Sequence, residues 1–291
     1  MTLNIALRLG RVSNLPTVWS NVLAGTALAG AAIGPPVAAV MLAASALYVG
    51  GMYLNDAFDR EIDAIERPGR PIPSRQVSAG TVFAIGYGLL GCGVLGLAAV
   101  GSATTGSAAA GATWGVTIAA FIVAYDMHHK NSMTAPAIMG ACRALVYFCA
   151  AAALVEQRPP AFSAAAAFAL LCYVVGLTYT AAFENEGSLR NRGPLILLIV
   201  PPAVATASTN LSLSVSVLPA VAAFCAWTMY AIRFASNREA IDIPGAVVRL
   251  IAGIALVDAM FAAAVGRPDL ALAAAAMLPL TRLFQRFIPG T

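Results

Sequence analysis

In the segment Tyr53-Leu-Asn-Asp-Ala-Phe-Asp-Arg-Glu-Ile-Asp63, Asn55, Asp59 and Asp63 recur at i, i+4 and i+8, and Asp56 stands three residues before Asp59. On a helix such side chains stack one turn apart along a single face. Three carboxylates and an amide oxygen held this way repel unless cations sit among them. Hard oxygen donors of this kind suit Mg²⁺, which takes one or two protein carboxylates and fills its octahedron with water and substrate phosphate. The donor set therefore predicts a metal-bridged diphosphate, with Asn55, Asp56, Asp59 and Asp63 as ligands. Arg67, Arg70 and Arg75 follow at once, in a loop stiffened by Pro68, Pro71 and Pro73. Their forked guanidinium donors match phosphate oxygens. The competing reading is a solvated helix end whose acids pair with Arg60 or Arg67.

Composition decides between these readings. Of 291 residues, 60% are hydrophobic and 10% charged, and the mean hydropathy is +0.81, whereas soluble domains carry roughly 25% charged residues. Apolar residues at this density imply a surface that faces lipid. An acidic cluster close to membrane depth is costly and by default functional. The formal charge of +4 is spread without a basic patch or tail, which argues against a nucleic-acid partner. Cys92, Cys142, Cys149, Cys172 and Cys225 all lie in apolar runs, where cysteine behaves as a small hydrophobe and implies neither a disulfide framework nor a zinc site.

The elements that must position the acids are membrane spans of roughly 20 apolar residues each. Ten candidates fall at 15–33, 36–54, 81–100, 107–125, 137–155, 162–181, 194–208, 215–234, 246–265 and 269–288. Pro201 and Pro202 interrupt the seventh and Pro279 the tenth, so the expectation is nine to ten spans. The first apolar run has no small-residue cleavage site and is read as a retained span, not a signal peptide. With the N-terminus inside, fifteen of the 17 Lys and Arg residues fall on the inner side, and only Arg158 and Arg267 fall outside. By the positive-inside rule both termini and the long polar loops are cytoplasmic, in an inner or plasma membrane. The expected fold is an all-α polytopic helical bundle around a central cavity, forming one domain over 1–291.

The run Asn55-Asp-x-x-Asp-x-x-x-Asp63 followed by Arg70-Pro-Ile-Pro-Ser74 resembles the first signature of the UbiA superfamily of intramembrane prenyltransferases. Chain length and the polar loops after the second, fourth and sixth spans are similar too, and within the family the sequence leans to the EboC-like branch. The resemblance implies that a prenyl diphosphate binds through Mg²⁺ at two acid-rich motifs and is ionised. The prenyl group then passes to an acceptor: an aromatic ring, a quinone precursor, or an alcohol or polyol, as a small molecule or lipid. It implies Asp59, Asp63 and Lys130 as catalytic residues. It also implies Asn14, Asn55, Arg70 and Tyr125 as substrate-binding residues, the tyrosine and lysine belonging to the loop Tyr125-Asp-Met-His-His-Lys130. Arg143, a cation that apolar surroundings do not tolerate alone, joins the substrate-binding set.

The sequence departs from the family at the second motif. The family carries aspartates four residues apart there, while this chain reads Phe183-Glu-Asn-Glu-Gly-Ser-Leu-Arg190. Glu184 and Glu186 would point about 200° apart on a helix, so both face one metal only if the backbone unwinds at Gly187; otherwise Glu184 alone is the ligand, or Asp126 takes its place. Tyr147, Tyr173 and Tyr179 are candidates to line the cavity and steady a carbocation, with packing as the equal alternative. His128 and His129 are adjacent and poorly placed to share a metal. Two other functions fit the same features: a terpene cyclase on this scaffold and a lipid transporter or binding protein. Transporters usually place their sites at the bilayer midplane, not at a loop boundary.

Overall fold

The computed structural model describes residues 1–128, 132–157, 160–182, 193–207, 211–236 and 242–290. Lys130, Glu184 and Glu186 lie outside the described residues, as does His129. Twelve α-helices occur among the described residues: α1 (Leu3–Leu9), α2 (Leu15–Leu28), α3 (Pro35–Phe58), α4 (Arg60–Glu66), α5 (Ala79–Thr105), α6 (Ala108–His128), α7 (Ala135–Leu154), α8 (Ala161–Ala182), α9 (Val200–Ala207), α10 (Leu211–Ser236), α11 (Ile243–Ala264) and α12 (Pro268–Phe284). Short 3₁₀ segments, Val12–Asn14 and Gly193–Ile199, precede α2 and α9.

Among the described residues each of the ten predicted apolar segments contains an α-helix. Among the described residues seven helices are long and apolar enough to cross a membrane: α3, α5, α6, α7, α8, α10 and α11. The other three candidates are shorter. The first contains α2, 14 residues, about 21 Å of helix against a hydrocarbon core of roughly 30 Å. The tenth contains α12, 17 residues, and the seventh is split into a 3₁₀ turn and α9 ahead of Pro201 and Pro202.

Local chemistry sets the helix starts. Ser78 caps α5 by accepting from the Thr81 N–H, and Asp242 caps α11 by accepting from the Gly245 N–H. Each cap satisfies an amide that the first turn leaves without a helical partner. Proline in the first turn of α3, α7, α11 and α12 occupies positions where no N–H is needed.

Small residues set the spacing between helices. A Cβ added at Gly50 of α3 would stand 2.8 Å from the Gly86 carbonyl of α5, and one at Gly111 of α6 would collide with the Leu97 carbonyl of α5. Backbones in direct contact are the membrane alternative to interlocked large side chains. Neighbouring helices pack in order from α3 through α5, α6, α7 and α8, then from α10 through α11 and α12 back to α2. Helices α2 and α11 lie innermost: every residue of α11 from Ala252 to Ala264 is buried. The ring encloses a cavity of about 750 Å³ that opens where α3 meets α4.

Candidate functional site

The acidic segment keeps the register expected of one helix, although α3 and α4 are assigned separately. The Asp59 N–H donates to the Asn55 carbonyl at 3.0 Å, the Asp63 N–H to the Asp59 carbonyl at 2.8 Å, and the Arg67 N–H to the Asp63 carbonyl at 2.9 Å. Every bond spans four residues, so the α-helical rise continues through the junction. Asn55, Asp59 and Asp63 therefore reach the cavity wall one turn apart. All three are buried, at 7%, 6% and 3% exposure.

Asp56 behaves differently from its three neighbours. It is absent from the cavity wall, and its Oδ1 accepts from Arg11 Nη2 at 3.1 Å and from Arg70 Nη1 at 3.3 Å. The same Arg70 Nη1 donates to Asp63 Oδ2 at 2.7 Å, so one guanidinium bridges two acids. Arg11 Nη2 also donates to Asn55 Oδ1 at 3.3 Å. Asp56 thus holds two arginines against the face that Asn55, Asp59 and Asp63 present.

A small second core holds those arginines in place. Leu9, Tyr53, Ala57 and Val82 pack together, with Ile72 and Val77 against them, and this pins the loop after Arg70 to α3 and α5. The loop also closes on itself: the Ser74 N–H and Oγ both reach the Arg70 carbonyl. Arg11 adopts φ 40°, a left-handed conformation that costs a non-glycine residue roughly 1–2 kcal/mol. It is also the N-cap of the Val12–Asn14 turn, and the turn directs its guanidinium at the acids. Nothing local in the sequence around Arg11 announces this role, because the contact spans 45 positions.

Below the mouth the cavity wall is largely apolar, including Val40, Leu47, Ile118, Ile122, Val146, Leu177 and Ile254. Its aromatic members are Tyr48 and Tyr125. The three tyrosines proposed as cavity-lining from the span pattern are not among the lining residues. Tyr173 Oη donates to the Leu250 carbonyl and its ring packs on Phe224, so it serves packing. Asn14 does line the cavity, but its amide is engaged by the C-terminal segment: Nδ2 donates to the Gly290 carbonyl at 2.8 Å, and Oδ1 accepts from Gln285 at 3.1 Å. His128 is exposed, with Nδ1 3.2 Å from the Ala124 carbonyl.

Arg143 also lines the cavity, and its charge is balanced by a residue outside the predicted set. Its Nη1 donates to Asn21 Oδ1 at 3.1 Å, and its guanidinium carbon stands 5.2 Å from the centre of the Tyr48 ring. The amide nitrogen of Asn21 donates in turn to both oxygens of Asp258, at 3.0 and 2.8 Å. This amide orientation is the one that gives the guanidinium an acceptor and the carboxylate a donor. Tyr147 Oη at 2.6 Å and Ser20 Oγ complete the shell around Asp258, which is fully buried. The sequence signal for this residue is an acid standing alone within the apolar run 246–265.

The charged residues lining the mouth are Asp59, Asp63, Glu66 and Asp126 against Arg11, Arg67 and Arg70. Asp126 Oδ1 accepts from Asn55 Nδ2 at 3.3 Å, which ties α6 to the acidic face. Among the described residues no three acids, cysteines or histidines converge tightly enough to cage a metal by themselves. The donor chemistry nonetheless fits a hard dication that takes one or two carboxylates and completes its shell from a phosphate ligand. An oxygen-lined mouth above an apolar cavity suits an amphipathic ligand with a polyanionic head.

Comparison with known proteins agrees with this geometry. The model of the UbiA prenyltransferase family matches residues 15–243. The fold is shared with a digeranylgeranylglyceryl phosphate synthase, 16% identical over 94% of this chain and 99% of that one, with a TM-score of 0.61. A UbiA homologue from Archaeoglobus fulgidus bound to DMAPP and Mg²⁺ is 13% identical, covers 93% of this chain and 99% of its own, and gives a TM-score of 0.64. The homologue from the same source bound to GPP and Mg²⁺ gives 0.61 at 13% identity, over 94% of this chain and 99% of that one. No curated protein matches the sequence. The matches single out no branch of the family, the EboC-like one included.

Proposed function

The chain belongs to the UbiA prenyltransferase family, and from that premise we propose that it transfers a prenyl group from a prenyl diphosphate to a small-molecule or lipid acceptor within the membrane, with Mg²⁺ at Asn55, Asp59 and Asp63. One observation carries the reading: three oxygen donors stacked one turn apart by an unbroken backbone ladder, at the mouth of an apolar cavity of about 750 Å³. Bound Mg²⁺ supplies Lewis-acid neutralisation of the leaving diphosphate. Arg70 exchanges part of its bonding to Asp56 and Asp63 for phosphate oxygens, and Arg11, anchored on Asp56, adds a fixed positive charge. Charge fixed in advance toward the place where charge develops is usually the largest catalytic contribution.

The allylic C–O bond breaks, the electron pair leaves with diphosphate, and the acceptor closes the new bond and then loses a proton. The apolar wall excludes water that would otherwise capture the cation. Tyr125 borders the mouth and Arg143 lies in the wall as an acceptor contact. By resemblance, Lys130 contacts diphosphate and Glu184 adds a ligand, with Asp126 beside Asn55 as its substitute. The basic-residue bias supports both termini and the mouth facing the cytoplasm, in an inner or plasma membrane, with the whole chain acting as one unit.

The test uses purified protein in nanodiscs with labelled prenyl diphosphate and a panel of aromatic, quinone-precursor and polyol acceptors. Asp59→Ala and Asp63→Ala should each lose at least about 100-fold in product formation while eluting as the native protein does. Chelation of Mg²⁺ should stop turnover reversibly. Full activity in either variant refutes the assignment, and release of a hydrocarbon or terpenol without acceptor redirects it to a terpene cyclase.

A further inference from the structure

A second pocket, of about 400 Å³, lies apart from the cavity between α10, α11 and the end of α12. Arg249, Arg282 and Arg286 line it together with Trp227, Tyr230 and Leu283, and no acidic residue is among the lining. Arg249 lies flat on aromatic rings, with its guanidinium carbon 3.6 Å from the centre of Phe234 and 5.6 Å from that of Tyr230. Its Nη1 donates to the Gly245 carbonyl at 2.6 Å. Arg282 Nη1 donates to Gln285 Oε1 at 2.8 Å. Both tethers are to neutral oxygens, so the three charges remain uncompensated among the described residues, and Arg249 and Arg286 both repel the charge of Arg282.

Elsewhere the cations Arg11, Arg70 and Arg143 of the main cavity have acids to balance them. Arg11 and Arg70 have Asp56 and Asp63, and Arg143 has Asp258 through Asn21. Here no described residue supplies the counter-charge, which points to an anionic ligand. Its surroundings indicate its nature: the lining residues Tyr230 and Leu283 are exposed, as are Met229 and Phe287, each next in sequence to a lining residue. An amphipathic ring at helix ends marks the interfacial zone of a bilayer, where lipid head groups lie.

We propose that this pocket binds the phosphate head group of an anionic membrane phospholipid, with Arg249, Arg282 and Arg286 holding phosphate oxygens and the acyl chains running along Leu283 and Phe287. Basic pockets between spans recognise anionic head groups in this way, each Arg contributing about 1 kcal/mol, or about fivefold in affinity. The site is independent of the prenyl-transfer reading, because no acid-motif residue lines it.

The test measures binding of short-chain phosphatidylglycerol to the full-length, detergent-purified protein by native mass spectrometry, with short-chain phosphatidylcholine and inorganic phosphate as separate arms. The expected order has phosphatidylglycerol well ahead of phosphatidylcholine, with inorganic phosphate negligible at equal concentration. Arg286→Gln should weaken phosphatidylglycerol binding about fivefold, and the Arg282→Gln/Arg286→Gln pair about 25-fold. Arg286 is exposed and only its backbone N–H, to the Leu283 carbonyl, is hydrogen-bonded among the described residues, so replacing its side chain leaves folding intact and the single variant is decisive even if the pair fails to fold. Equal binding by wild type and Arg286→Gln, or equal binding of the two lipids, overturns the proposal. Inorganic phosphate binding as tightly as phosphatidylglycerol overturns the assignment to lipid.

Discussion

Asp258→Ala removes a carboxylate that joins three helices distant in sequence: Ser20 and Asn21 of α2, Tyr147 of α7, and α11 itself. Interhelical side-chain hydrogen bonds in membrane proteins average about 0.6 kcal/mol and reach about 1.7. Loss of the bonds from three partners therefore costs about 2–5 kcal/mol, before any contribution from the charge of Arg143, which keeps Asn21 but loses its counter-ion. At about 2–4 °C per kcal/mol for a chain of this size, the apparent Tm in detergent should fall by roughly 4–20 °C. Tyr147→Phe removes one bond and should cost no more than about 1.7 kcal/mol. Combined with Asp258→Ala it should cost less than the sum, because both variants delete the same contact. Asp258→Asn, which keeps the shape and one acceptor oxygen, should fall between wild type and alanine. An Asp258→Ala protein melting within about 1 °C of wild type, or strict additivity with Tyr147→Phe, would refute the claim that this carboxylate ties α2, α7 and α11 together.

The strained Arg11 is expected to act on the diphosphate side of the reaction. Because charge-assisted hydrogen bonds contribute about 1.5–3 kcal/mol, Arg11→Ala should reduce kcat/KM for prenyl diphosphate by about 10- to 100-fold, measured by diphosphate release, with little change in acceptor KM. Gly111→Ala meets the Leu97 carbonyl and Gly91→Ala meets nothing within 4 Å. The first should lower the apparent Tm by the equivalent of about 1–3 kcal/mol of overpacking, while the second leaves it unchanged or slightly raised, as differential scanning fluorimetry would show.

Features governed by short-range chemistry were legible in the residues themselves. Composition located the apolar helices, seven of them long enough to span among the described residues, because exclusion of charge from lipid acts on each stretch separately. The spacing of Asn55, Asp59 and Asp63 determined their shared face, because an α-helix fixes the direction of side chains four residues apart wherever it is packed. Arg70 came into the site because its loop is short and proline-stiffened, seven residues from the acid it reaches.

Features governed by the meeting of distant helices were not legible. Tyr147 and Tyr173 lie in spans that border the cavity, yet the rotation of α7 and α8 turns Tyr147 to Asp258 and Tyr173 to the Leu250 carbonyl. That rotation is set by small-residue contacts such as Gly140 against Leu171 and Gly25 against Tyr147, which apolar periodicity does not encode in a helix that is apolar on all sides. The pairing of Arg11 with Asp56 spans 45 positions, and that of Asn21 with Asp258 spans 237. The sequence alone therefore determined which residues form the acidic face and that the chain is built of apolar helices. The tertiary structure decided which cations balance that face and which acid balances Arg143, because a charge buried in an apolar bundle takes its partner from whichever helix packing brings within hydrogen-bond reach.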